Sequence, residues 1–120
     1  MLNLDTHIVV SLLNRTLTAE EYWRIADEEL GLSDIVFWEL AMLGNRRRVA
    51  LDFDAPIFRS FIGSVKVFPI TMEIARQSTQ LDFTSDPADE IIAATSIVEN
   101  IPLMTRDRRI RRSKMVSFAL

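Results

Sequence analysis

Asp86-Pro87-Ala88-Asp89-Glu90-Ile91-Ile92-Ala93-Ala94-Thr95, followed closely by Ile101-Pro102-Leu103-Met104-Thr105-Arg106-Asp107, decides how this chain is read. The first stretch predicts a helix: Pro87 suits a first helical turn, and Asp86 and Asp89 suit the positive end of its dipole. The second predicts a short buried strand with an acid just past its end. The same helix-and-strand alternation runs outward from this point. Leu2-Asn3-Leu4-Asp5 reads as an N-terminal strand, and Thr6 is expected to cap a helix from Ile8 to about Asn14. Thr18-Ala19-Glu20-Glu21 has capping-box spacing. It opens a helix expected to reach about Leu30, with Gly31 as its stop. Ser33-Asp34-Ile35 leads into a helix from Val36 to about Arg46. Asp54 is expected to cap a helix through about Ile62, ended by Gly63. Val65 to Pro69 alternates as a strand, and Thr71 opens a helix to about Thr79. Ser85 or Asp86 caps the long helix to Glu99, Pro102 to Thr105 is a strand, and Val116-Ser117-Phe118 is a last short one. Such alternation implies βαβ units and a mostly parallel sheet. Ligands bind such sheets at the carboxyl ends of the strands.

The chain has 120 residues, enough for one domain with a single core, and 48% are hydrophobic. Its formal charge of −3 is mild and selects no partner by itself. There is no cysteine, which excludes a disulfide framework, a thiolate metal site and a cysteine nucleophile. That fits a reducing compartment, and a cytoplasmic location is expected. No apolar run reaches the roughly 18 residues a membrane span needs. The start, Met-Leu-Asn-Leu-Asp, lacks the basic and apolar regions of a signal peptide. A single histidine, His7, excludes metal-free cleavage by a histidine pair, and three glycines cannot build a P-loop or a Gly-x-Gly-x-x-Gly fingerprint. If the chain is an enzyme, carboxylates and a metal ion are its expected tools.

Four acids sit where apolar neighbours make a carboxylate costly. Asp5 ends an apolar strand, as a helix N-cap or as a ligand. Glu39 is the one charge in Val36-Phe37-Trp38-Glu39-Leu40-Ala41-Met42-Leu43; it either follows a narrow polar stripe to solvent or points inward. An inward carboxylate costs several kcal/mol unless paired or metal-bound. Asp86 reads mainly as an N-cap, and Asp89, beside the Ile-Ile-Ala-Ala face, as the better ligand. Asp107 is either a turn acid paired with Arg106, Arg108 or Arg109, or a fourth ligand. Carboxylates gathered in one cleft repel and raise one another's pKa values. Mg²⁺ or Mn²⁺ relieves that repulsion; these hard cations prefer oxygen ligands and keep waters that can attack a phosphoryl group.

These residues resemble the PIN domain, in particular VapC-type toxins. Leu4-Asp5-Thr6-His7 is similar to the family's opening block, Leu-Asp-Thr-His/Asn. Phe37-Trp38-Glu39-Leu40 is similar to its second block, and Asp86-Pro87-Ala88-Asp89 with Ile91-Ile92-Ala93-Ala94-Thr95 to its third. Leu103-Met104-Thr105-Arg106-Asp107 is similar to its fourth, Leu-Leu-Thr-x-Asp. The four keep family order and span nearly the whole chain. The resemblance implies a three-layer α/β/α sandwich around a mostly parallel sheet of four to five strands, with residues 1–120 as one PIN-like nuclease domain. It implies an acidic metal-binding and catalytic set of Asp5, Glu39, Asp89 and Asp107, supported by Thr6, Ser33 and Thr105, with Asp86 beside them. It also implies a Mg²⁺- or Mn²⁺-dependent endoribonuclease, tRNA or rRNA as substrate, a VapB-like antitoxin and a homodimer. Two positions depart from the pattern: Ala88 replaces a usual aromatic and Glu90 a usual arginine. Residues between Gly44 and Phe61 match poorly.

Arg106, Arg108, Arg109, Arg111, Arg112 and Lys114 form a basic run, and Arg46-Arg47-Arg48 a second. Arg106, Arg108, Arg109 and Arg112 are the expected RNA contacts; a solvated face or a seat for an acidic antitoxin is the alternative. Such contacts position RNA through phosphates and do not choose the sequence cut. Tyr22, Trp23 and Trp38 are expected in the core or at a dimer contact. Two rival functions remain. A catalytically inactive PIN-like module would bind protein or nucleic acid without cutting. A phosphoacceptor receiver domain would need an acidic pair after strand one and a lysine after a late strand; here Asp5 stands alone and Arg106 follows Thr105.

Overall fold

The computed structural model describes residues 1–46 and 51–120. Arg47 and Arg48 of the second basic run lie outside the described residues.

Four short strands make the sheet: β1 (Leu2–Leu4), β2 (Leu30–Ser33), β3 (Lys66–Phe68) and β4 (Leu103–Met104). Their spatial order is β3-β2-β1-β4, and every pairing is parallel. The expected α/β class is therefore present, with four strands. Val116–Phe118 contributes only a single parallel bridge, Leu103 to Phe118, rather than a fifth strand. The helices flanking the sheet are α1 (Thr6–Leu13), α2 (Ala19–Ile25), α3 (Ile35–Asn45), α4 (Pro56–Ser64), α5 (Met72–Ser78), α6 (Pro87–Glu99) and α7 (Arg108–Arg111). Among the described residues no helix is long and apolar enough to cross a membrane.

Strand periodicity sets the packing. Leu2 and Leu4 project to one face of the sheet and Asn3 to the other, because successive side chains alternate. The leucines join Ile8, Val9, Leu32, Val36, Leu40, Ile92, Leu103, Met104 and Ile110 in one core cluster. Asn3 is fully buried against α6, where its amide donates to the Ile92 carbonyl at 3.1 Å and to Ser96 Oγ at 2.9 Å. These bonds hold the long helix at a set position over β1.

Four boundaries differ from the sequence reading. The helix from Thr18 ends at Ile25, not Leu30. Asp27 adopts a left-handed backbone with φ of 65° just beyond it, and Leu30–Ser33 is drawn into the sheet beside β1. Gly31 is thus a strand residue and not a helix stop. A Cβ there would lie 2.6 Å from Phe68 Cε2, so the glycine admits the ring. Asp54 does not cap α4; the cap position is Ala55, and Pro56 begins the helix. Gly63 falls inside that helix. Finally, Asp5 and not Thr6 caps α1, accepting from the Thr6 amide at 2.7 Å.

Strand order also locates a cleft. From β1 the chain builds outward through β2 to β3, then crosses back to lay β4 on the other side of β1. The reversal point is the crevice past the carboxyl ends of β1 and β4, where open parallel sheets place ligands. Asp5 follows β1 and Thr105 follows β4 at that crevice.

Candidate active site

Asp5 arrives at the crevice because β1 ends at Leu4 and α1 begins at Thr6. It is 2% exposed. Its Oδ1 accepts the Thr6 amide, and its Oδ2 accepts the Thr105 hydroxyl at 2.6 Å. Thr105 Oγ1 in turn accepts the Asp107 amide at 3.0 Å. The threonine therefore ties the turn after β4 to the turn after β1.

Glu39 comes from the middle of α3 and is half-buried. Its Oε1 accepts the hydroxyl of Thr6, which turns it inward rather than along a solvent stripe. Asp89 stands in the first turn of α6, placed by Pro87 at the helix start. The Ser85 hydroxyl donates to its Oδ2 at 2.8 Å.

One carboxylate oxygen from each of Asp5, Glu39 and Asp89 lies within 4.8 Å of the others. The cost of that gathering appears in the protonation of all three. Burial pushes the Asp5 carboxyl up, and the charge of Asp107 adds to it. Glu39 is raised chiefly by burial and then by the charges of Asp5 and Asp86. Asp89 is pushed to about 6, again by burial first and then by Asp5, Glu39 and Asp107. Three oxygen acceptors that resist ionising together are the donor set a hard divalent ion prefers. The chemistry of the three donors therefore fits a divalent cation.

The remaining expected residues take varied positions. Asp107 is near enough for its charge to raise Asp5 and Asp89, yet it lies outside the cluster of three. Its Oδ1 caps α7 through the Arg109 and Ile110 amides, at 2.8 and 3.1 Å. Ser33 is fully buried, and its hydroxyl accepts the Ile35 amide at 3.2 Å, shaping the turn from β2 into α3. Asp86 has the backbone of an N-cap but makes no capping hydrogen bond with its side chain. That side chain lines a cavity shared with Glu39 instead, so Asp86 holds the expected cap position through its backbone alone.

Arg106 stays exposed but pairs with Glu21. Its Nε and Nη2 bind the two Glu21 oxygens at 2.8 and 2.6 Å, and its Nη1 donates to Ser11 Oγ at 3.1 Å. This fork holds the Glu21 carboxyl at about 2. Glu21 also closes the capping box of α2, accepting from the Thr18 amide at 2.9 Å. Arg108, Arg109 and Arg112 are exposed along or just after α7.

Two contributors were missed from sequence. Ser85 reads from sequence only as a cap, and its spacing of four residues from Asp89 across a helix start is the one local signal of its contact with that acid. The pairing of Glu21 with Arg106 spans 85 positions and left no local signal. Tyr22, Trp23 and Trp38 are not core residues, being 56%, 74% and 55% exposed.

Comparison with known proteins follows this geometry closely. The chain matches the family model of the PIN domain over residues 3–114. It is 33% identical over 87 residues to Ribonuclease VapC22 of Mycobacterium tuberculosis, covering 70% of this chain and 67% of that protein. Among solved structures, it resembles a toxin–antitoxin complex from Klebsiella pneumoniae with a TM-score of 0.74 and 20% identity, over 100% of this chain and 98% of that one. It also resembles VapBC2 from Rickettsia felis, bound to a promoter DNA fragment, with a TM-score of 0.72 and 18% identity over 98% and 97% of the two chains. At such identities these two structures share the fold.

Proposed function

We propose that this chain, which belongs to the PIN-domain family, is a metal-dependent endoribonuclease and the toxin of a VapBC-type toxin–antitoxin pair. The observation that carries the reading is the convergence of Asp5, Glu39 and Asp89 from three separate elements to within 4.8 Å. Such convergence is expensive in a bare protein and purposeful in one that binds a cation.

In this reading residues 1–120 act as one nuclease domain. Asp5, Glu39 and Asp89 hold Mg²⁺ or Mn²⁺, and Asp107 adds negative charge at the edge of the site. A divalent ion bound there supplies neutralisation of a phosphoryl oxygen and a water of lowered pKa. The protein supplies order. Thr105 and the Thr6 amide fix the two oxygens of Asp5, the Thr6 hydroxyl aims Glu39, and Ser85 aims Asp89. Ser33 sets the entry of α3 and so the place of Glu39. Asp89, poised at about 6, can hold a proton when the cation is absent and release it when the cation arrives.

The substrate is RNA, with tRNA or rRNA as the expected class. Arg108, Arg109 and Arg112 meet its phosphates, while the guanidinium of Arg106 is already engaged by Glu21. A VapB-like antitoxin is the proposed partner, supported by fold neighbours that come from toxin–antitoxin complexes. A homodimer in the cytoplasm completes the proposal. The test is cleavage of total RNA with Mg²⁺ or Mn²⁺, with and without EDTA, followed by mapping of the cut sites. Asp5→Asn should abolish cleavage while the fold survives. Cleavage by that variant at the wild-type rate would refute the site.

A further inference from the structure

Beside the carboxylates, on the α3 side, opens a cavity of about 420 Å³. It lies between α3 and the start of α6, and Glu39 and Asp86 belong to its wall. We propose that this cavity receives one unpaired nucleobase of the RNA, next to the scissile phosphate, with Trp38 as its stacking platform. Its placement beside the cut rests on the nuclease reading; the base pocket itself does not.

Helix spacing builds the wall. Trp38 and Met42 in α3 and Arg46 at its C-cap recur every four residues and line the cavity. Trp38 and Glu39 both line this cavity, so the indole shares a wall with one carboxylate of the cluster. More than half of it is exposed, which leaves an aromatic ring available to a ligand. Across the cavity stands Ala88, 4% exposed. Its small methyl takes up little of that space. The size falls in the lower range of small-ligand sites, roughly 300–1,000 Å³, and suits a single nucleoside.

The polar groups favour a base over an apolar side chain. The Asp86 carboxylate lines the cavity and makes no bond to its own helix, so it can accept from the N–H groups on a base edge. Arg46 brings a planar cation suited to the adjoining phosphate. Single-stranded RNA is read in this manner, by stacking unpaired bases on aromatic rings and bonding their Watson–Crick edges.

The test uses the chain with Trp23→Phe, so that Trp38 is its only tryptophan. Adenosine, guanosine, cytidine and uridine are titrated first, because they carry no phosphate for the acids to repel. A fluorescein-labelled pentaribonucleotide in EDTA follows, so that no bond is cut. Trp38 emission should be quenched by at least one nucleoside and by the RNA. By anisotropy, Trp38→Ala should bind the RNA about tenfold more weakly or worse, and Trp38→Phe should recover most of the loss. Emission unmoved by every nucleoside and by saturating RNA would overturn the proposal. Unchanged RNA affinity in Trp38→Ala would do the same, as would quenching by an antitoxin peptide but by no RNA. Cleavage without quenching removes the base pocket and leaves the nuclease; quenching without cleavage under any metal does the reverse.

Discussion

Replacing Asp89 by Asn should make the metal-free protein more stable, and the gain should depend on pH. Asp89 has a folded pKa of about 6 against an ordinary 3.8. Below about pH 3.8 the carboxyl is protonated in both states and costs nothing. Between 3.8 and 6 the unfolded chain ionises first, so stability falls as pH rises. Above 6 the cost is complete. At about 1.4 kcal/mol per unit the ceiling is roughly 3 kcal/mol. Asp89 is only half-buried, and solvent screening brings the expected cost to about 1–2 kcal/mol. Asn keeps the size and a partner for Ser85 while removing the charge. In EDTA at pH 7.5, Asp89→Asn should melt several degrees above wild type, roughly 3–8 °C for a chain of this size. Near pH 3.5 the two should coincide. Millimolar Mg²⁺ should raise the wild-type Tm and leave the variant's almost unmoved. A variant that melts lower than wild type at pH 7.5, or that gains equally from Mg²⁺, would refute the reasoning.

Glu21→Gln removes one charge of the Arg106 fork and should cost about 1–2 kcal/mol in urea unfolding at pH 7. Because Glu21 is held at about 2 against an ordinary 4.5, its stabilisation is complete above pH 4.5 and fades below it. The difference between the two proteins should therefore shrink as pH falls toward 2; a constant gap would contradict the assignment. Combined replacement of Arg108, Arg109 and Arg112 by Ala should weaken RNA binding at low salt without changing the cut site. It should also flatten the log–log salt dependence by about 2, at roughly 0.7 per single-strand phosphate contact. An unchanged slope would place the RNA elsewhere.

What was readable in the chain was what local chemistry alone decides. Thr71 caps α5 as expected, its hydroxyl accepting the Ile74 amide. Pro87 opens α6, which runs to Glu99 as expected. Apolar runs ending in acids marked β1 and β4, and with them the rim where Asp5 and Asp107 sit. Long-range packing was not readable. Gly31 resembles a helix stop until Phe68, 37 positions away, is seen to lie over it. Likewise, the basic run from Arg106 to Lys114 looks uniform, yet Arg106 is claimed by Glu21 through a fold-level contact. Asp86 and Asp107 show the same limit in opposite senses. Each begins a helix, but only Asp107 caps one with its side chain. The difference lies in side-chain direction, which an Asp at a helix start does not disclose.

The central claim is that Asp5, Glu39 and Asp89 share one cation. Crystals of the wild-type chain soaked in Mn²⁺ test it directly through anomalous scattering. A single strong peak should lie among the three carboxylates, at coordination distance (roughly 2.0–2.2 Å) from their oxygens, and it should vanish in Asp89→Asn. Ordered carboxylates with no peak between them at millimolar Mn²⁺, or a peak bound elsewhere, would contradict the account.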